Sequence, residues 1–193
     1  NRSMMASCPK LDRGASGWNR SGPYVFWQVM HGHKTLTPAA RWLGYAGLLP
    51  QIICLGLALA EPGMGQGAGT GSGWGYVALA AGFAYATAIF SFLGGVWWGQ
   101  AIAHSFDRLV GAGAYIIAVM PSLLAVALFL PWTFGWDWPG PALLFLGAFI
   151  ALSPLVDRAL GFASRDFLSL RIQLSAGLGL LTMALGVVAE RLV

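Results

Sequence analysis

Residues 74–103 read WGYVALAAGFAYATAIFSFLGGVWWGQAIA, an unbroken run without Asp, Glu, Lys, Arg or His. A helix at a water-facing surface needs a polar side, whereas a hydrocarbon core about 30 Å thick calls for about 20 apolar residues in succession. The run therefore predicts a membrane-spanning helix, long enough to tilt or to project past the bilayer surface. His104, Asp107 and Arg108 end it.

Four further apolar segments flank this one. The first covers 38–60, with Thr37 as N-cap and Pro38 at the first helical position, where the missing N–H costs nothing. It leaves through the Gly-rich stretch Glu61 to Gly73. The others are expected at 109–130, with Pro121 near its centre, at 141–156, closed by a polar turn at Asp157-Arg158, and at 167–189. Arg171, near the start of the last, is expected to snorkel to the headgroups, and no span carries a charge away from its ends. The composition agrees: 57% hydrophobic, 9% charged, mean hydropathy +0.67, against about a quarter charged in soluble domains. The predicted fold is an all-α integral membrane bundle of five transmembrane helices over 37–193, preceded by a polar, flexible arm over 1–36.

Lys and Arg in short loops are held back from translocation, so their distribution orients the chain. Arg2, Lys10, Arg13, Arg20 and Lys34 precede the first span and Arg41 lies at its entry, Arg108 follows the second, and Arg158, Arg165 and Arg171 surround the last loop, while only Arg191 lies on the opposite side. The N-terminus is expected inside and the C-terminus outside, whether or not residues 1–29 are counted. Met30-His31-Gly32-His33-Lys34 makes a short basic lead into the first span, so a native start at Met30 stays open as a reading. Neither a signal peptide nor a lipoprotein site is expected, because no apolar run follows Met4-Met5.

The pI of 9.4 does not imply nucleic acid, since the basic residues are scattered singly rather than massed against phosphates. Cys8 and Cys54 lie in the arm and mid-span, too far apart to bridge. Trp132, Phe134, Trp136 and Trp138, between Pro131 and Pro139, predict an aromatic anchor lying in the outer interface.

The least ordinary stretch is Ser91 to Gln100, which joins Gly94, Gly95 and Gly99 to Trp97 and Trp98. Gly95 and Gly99 form a Gly-xxx-Gly face for helix packing, continued by Gly82 and Ala86. A sharper reading takes Tyr85, Ser91, Trp97, Trp98 and Gln100 as the lining of a site for a quinone, a lipid headgroup or a planar aromatic. Pro50 beside Gln51 and Pro121 beside Ser122 predict kinks whose freed carbonyls those polar side chains could satisfy, the pattern from which broken-helix transport sites are built. His31, His33 and His104 lack the thiol or carboxylate partners that would complete a zinc set, and no span holds a histidine for haem. No catalytic residue, metal or cofactor is expected: Asp107, Asp157, Asp166 and His104 are read as helix ends or as partners of Arg108, Arg158 and Arg165.

With these pieces in order, the chain resembles the domain of unknown function 3429 family, which includes transmembrane protein 69-like proteins of bacterial and mitochondrial membranes. The resemblance is carried by Ala40 with Leu43-Gly44-Tyr45-Ala46-Gly47-Leu48-Leu49-Pro50, by Phe92-Leu93-Gly94-Gly95-Val96 with Trp98-Gly99, and by Leu170-Arg171 with Leu174. It departs from the family at Trp97, where a basic residue or histidine is frequent, and at Asp166-Phe167, where aromatic residues precede the Leu-Arg pair. The resemblance implies a small multi-pass inner-membrane protein and no particular activity. Together with the residues it supports a non-enzymatic accessory or assembly factor of a bacterial inner membrane, favoured over a mitochondrial one. Its partners would be the lipid bilayer and another membrane protein or a second copy. The alternative is a carrier of a small neutral or amphipathic molecule.

Overall fold

In the computed structural model, the residues described are 37–60, 73–105, 110–135, 139–161 and 165–192. They form six helices and no strand: α1 (Pro38–Ala46), α2 (Leu49–Ala60), α3 (Trp74–Ser105), α4 (Ala112–Thr133), α5 (Pro139–Leu160) and α6 (Arg165–Leu192). The arm expected over 1–36 lies outside the described residues.

Helices α1 and α2 together make one apolar crossing, and α3 to α6 make four more, so five segments are long and apolar enough to span a bilayer. The 32 residues of α3 reach about 48 Å, well beyond the hydrocarbon core. Outward-facing side chains fit that solvent. Helix α4 leaves Ile116, Leu123, Val126 and Leu130 about half exposed or more, an apolar stripe that water would drive into aggregation and lipid accepts. The chain is a multi-pass transmembrane protein.

Thr37 caps α1 as expected, its Oγ1 accepting from the Ala40 N–H at 3.4 Å, with Pro38 at the first helical position. The first crossing is not one helix, however. It turns at Gly47-Leu48, where the Gly47 N–H points to the Leu43 and Gly44 carbonyls and the Leu48 N–H to Tyr45. Pro50 is the cause, because it brings no N–H to the carbonyl four residues back and its ring crowds the preceding turn.

The fourth crossing is longer than 141–156. Helix α5 starts at Pro139 and carries Asp157 and Arg158 within its last turns, so these residues are helix rather than a polar turn. At the far end α4 absorbs Pro131 and Trp132. Trp132 packs inward on Tyr76, Phe83 and Phe129, at ring-centroid separations of 5.7, 5.6 and 5.9 Å, instead of lying in an interfacial loop. Trp136 and Trp138 are outside the described residues.

Helix α3 supplies the centre of the bundle. Leu79, Phe83 and Ala86 are fully enclosed and share one core with Leu143, Leu146 and Ile150 of α5 and Leu178 and Leu185 of α6. Helices α5 and α6 make the most extensive pair, an antiparallel hairpin in which Gly140 meets Glu190, Gly147 meets Met183, Ser153 meets Ser175 and Asp157 meets Arg171. A Cβ built on Gly147 would stand 2.7 Å from the Gly179 carbonyl, and one on Gly186 2.9 Å from the Gly140 carbonyl, so the backbones touch at small residues. In lipid, where apolar side chains gain little by leaving the solvent, such close packing is what holds helices together.

Candidate functional site

The same hairpin register brings Asp157, near the end of α5, opposite Arg171, two turns into α6. Arg171 Nε donates to Asp157 Oδ2 at 3.0 Å, and Nη2 lies 2.9 Å from Oδ2 and 3.2 Å from Oδ1. From α3, Trp97 Nε1 donates to Asp157 Oδ1 at 2.7 Å. The Asp157 side chain is completely enclosed and that of Arg171 only 9% exposed. Three helices thus converge on one buried carboxylate.

The charges within the bundle correct two expectations. Asp157 neither ends its helix nor pairs with Arg158, and Arg171 does not snorkel outward. A lone ion at this depth costs several kcal/mol, and mutual neutralisation by hydrogen-bonded partners removes most of that penalty. The Arg171 guanidinium carbon also stands 5.7 Å from the centroid of the Phe167 ring, one turn away. One layer deeper, Ser153 and Ser175 of the same two helices sit 3.1 Å apart. Ser153 donates to the Ile150 carbonyl at 2.8 Å, which leaves Ser175 as the donor between them.

The residues singled out from sequence are dealt to different faces of α3. Successive helical residues turn by about 100°, so neighbours in the chain point apart. Trp97 faces Asp157, whereas Trp98 meets Tyr115 of α4 at 5.1 Å between ring centroids. Gly94 is the crossing point with α4, where an added Cβ would run into the Ala118 carbonyl, while Gly95 and Gly99 look onto open space. Gly82 and Ala86 do not continue that outward face: Gly82 packs against Leu185 and Cys54, and Ala86 is buried. Ser91 donates to Ser122 at 2.9 Å, joining α3 to α4 beside Pro121. Tyr85 donates to the Gly47 carbonyl at the break in the first crossing, a role expected of Gln51. Gln51 instead reaches Thr182 of α6 at 3.3 Å, and its Oε1 is buried with no partner among the described residues. The Gln100 carbonyl lies 2.9 Å from His104 Nδ1.

Asp157 itself was missed, because an acid at the end of an apolar run reads as a stop signal. The available clue was the spacing of polar residues about the last loop: 157 and 171, then 153 and 175, mirror each other as an antiparallel hairpin requires.

A groove of about 470 Å³ opens on the flank of the bundle beside Arg171. Its walls come from α3, through Tyr85, Ile89 and Val96, and from α6, through Phe167, Arg171 and Leu178, with Gly44 and Gly47 of the broken crossing along its edge. The lining is almost wholly apolar, and its size falls in the range of about 300–1,000 Å³ usual for ligand sites. Among the described residues, no three His, Cys, Asp or Glu side chains gather as a metal site would need.

No curated protein and no solved structure matches the chain. The model of a protein family of unknown function does match, over residues 36–187, a range that covers the first four crossings and most of the fifth, with Asp157 and Arg171 inside it. The chain is therefore a member of the family described as protein of unknown function DUF3429.

Proposed function

We propose that this protein is a non-enzymatic accessory or assembly factor that engages another membrane protein through the outward face of α3. The observation that carries the reading is the division of labour among glycines. Gly82, Gly94, Gly140, Gly147, Gly179 and Gly186 are each filled by a neighbouring helix, while Gly95 and Gly99, one turn apart on α3, meet nothing within 4 Å among the described residues. Gly56 of α2 and Gly113 of α4 are equally open, but each stands alone on its helix, without a second glycine one turn away. Glycine inside a helix costs about 1 kcal/mol relative to alanine unless close packing uses it. Exposed Phe92 and Trp98 flank the pair and supply contact area for a partner helix. The distribution of basic residues supports an N-terminus in the cytoplasm and a C-terminus outside, and the membrane is read as a bacterial inner membrane.

The test is a photo-reactive side chain placed at Gly95 or Gly99, with Leu123 on α4 as control, in intact membranes. Adducts to one defined membrane protein from α3 but not from α4 support the reading. Equal labelling by bulk lipid at all three positions refutes it. A reporter fused after Val193 that is active in the cytoplasm refutes the orientation.

The carrier reading draws on the groove beside Arg171, but the polar groups at the kinks support it less. Ser122 is bonded to Ser91 and Gln51 to Thr182, so both side chains tie helices together.

A further inference from the structure

We propose that the groove between α1, α3 and α6 is a binding site for one anionic phospholipid, with an acyl chain along the trough and a phosphate or ester oxygen on the Arg171 guanidinium. This site does not depend on the accessory role of α3.

The distribution of hydrogen-bond donors fixes the head. Arg171 spends Nε and Nη2 on Asp157, and among the described residues nothing takes the two hydrogens of Nη1. The small exposed part of this side chain lies on the groove wall. The other polar side chains of the lining have already used their hydrogens, Tyr85 on the Gly47 carbonyl and Ser175 on Ser153. Donors are therefore gathered at one end, and the rest of the trough offers hydrocarbon. Asp157 and Trp97 hold the guanidinium in place before any ligand arrives, which lowers the ordering cost of binding.

Length and depth fix the tail. From Phe167 to Leu178 the α6 wall runs about 16 Å, and the α3 wall from Tyr85 to Val96 matches it, close to half of an approximately 30 Å hydrocarbon core. Arg171 sits six residues into α6, about 9 Å from its start. The head end of the trough thus lies near the membrane surface and the tail end near mid-bilayer, the outline of a lipid in one leaflet. Arg171 is neutralised by Asp157, but among the described residues at that end of the bundle the exposed Arg41 and Arg158 outnumber the exposed Asp166, and the balance is a positive field that favours an anionic head.

The test uses the full chain in nanodiscs of mixed phosphatidylglycerol and phosphatidylethanolamine, released into the gas phase for native mass spectrometry. Wild type is expected to retain one phosphatidylglycerol in preference to phosphatidylethanolamine. Val96→Trp fills the trough and leaves Asp157, Trp97 and Arg171 themselves unchanged, and Arg171→Lys keeps the charge but loses the fork. Each is expected to lower retention by about tenfold or more, and thermal unfolding identifies variants that remain folded. No retained lipid in wild type, equal retention by a folded Val96→Trp, or retention blind to headgroup overturns the proposal. So does displacement of the lipid by decylubiquinone at equimolar concentration, which would assign the trough to a quinone.

Discussion

Replacing Asp157 by Ala should be among the most damaging single changes in this protein. The carboxylate is fully enclosed and accepts from Trp97 and Arg171 at 2.7 to 3.2 Å. Its removal strands a guanidinium whose side chain is 9% exposed and leaves the Trp97 N–H without its acceptor. Breaking a buried pair from one side costs about 3–5 kcal/mol, most of it the penalty on the orphaned charge rather than the worth of the pair. The same reasoning makes Arg171→Met comparably harmful. It also makes the double variant Asp157→Asn/Arg171→Met much milder, because no charge remains and the new carboxamide oxygen can still accept from Trp97. Unfolding of wild type, Asp157→Asn, Arg171→Met and the double variant in mixed micelles closes a thermodynamic cycle, in which Asp157→Asn strands the guanidinium as Asp157→Ala does. The coupling should exceed about 2 kcal/mol, with the double variant within about 1–2 kcal/mol of wild type. Additivity of the two single changes to within about 0.5 kcal/mol would refute the argument, since it would mean that the two side chains do not neutralise each other.

Glycine positions give a paired prediction: Gly94→Ala, whose Cβ meets the Ala118 carbonyl backbone, should cost about 1–3 kcal/mol, while Gly99→Ala, facing open space, should be neutral or slightly stabilising in the same unfolding assay. Gly147→Ala should resemble Gly94→Ala, because its neighbours at 2.7 and 2.9 Å are the Gly179 carbonyl and the Met183 nitrogen, neither of which can rotate away. Tyr85→Phe removes the donor at the break between α1 and α2 and should cost about 1–2 kcal/mol, with faster amide exchange confined to residues 44–52. Ser122→Ala should cost less than about 1.5 kcal/mol, since Ser91 can turn its hydroxyl to a carbonyl of its own helix.

The sequence by itself determined the solvent, the number of crossings and most of their ends. Those follow from local sums: about 20 uncharged residues must cross or aggregate, and a proline or a cap acts within one turn of itself. The outward Gly95 and Gly99 and the inward Gly94 could not be told apart in the same way, because adjacent residues differ by about 100° and only the neighbouring helices say which direction is inside. Tertiary structure also decided the fate of the charges. Asp157 and Arg171 each look like the polar end of an apolar segment, and the register of α5 against α6, set by glycine contacts two and four turns further along, carries them into one enclosed pair. An ion's energy depends on what stands within a few ångströms of it, which chain order leaves open until the helices are packed.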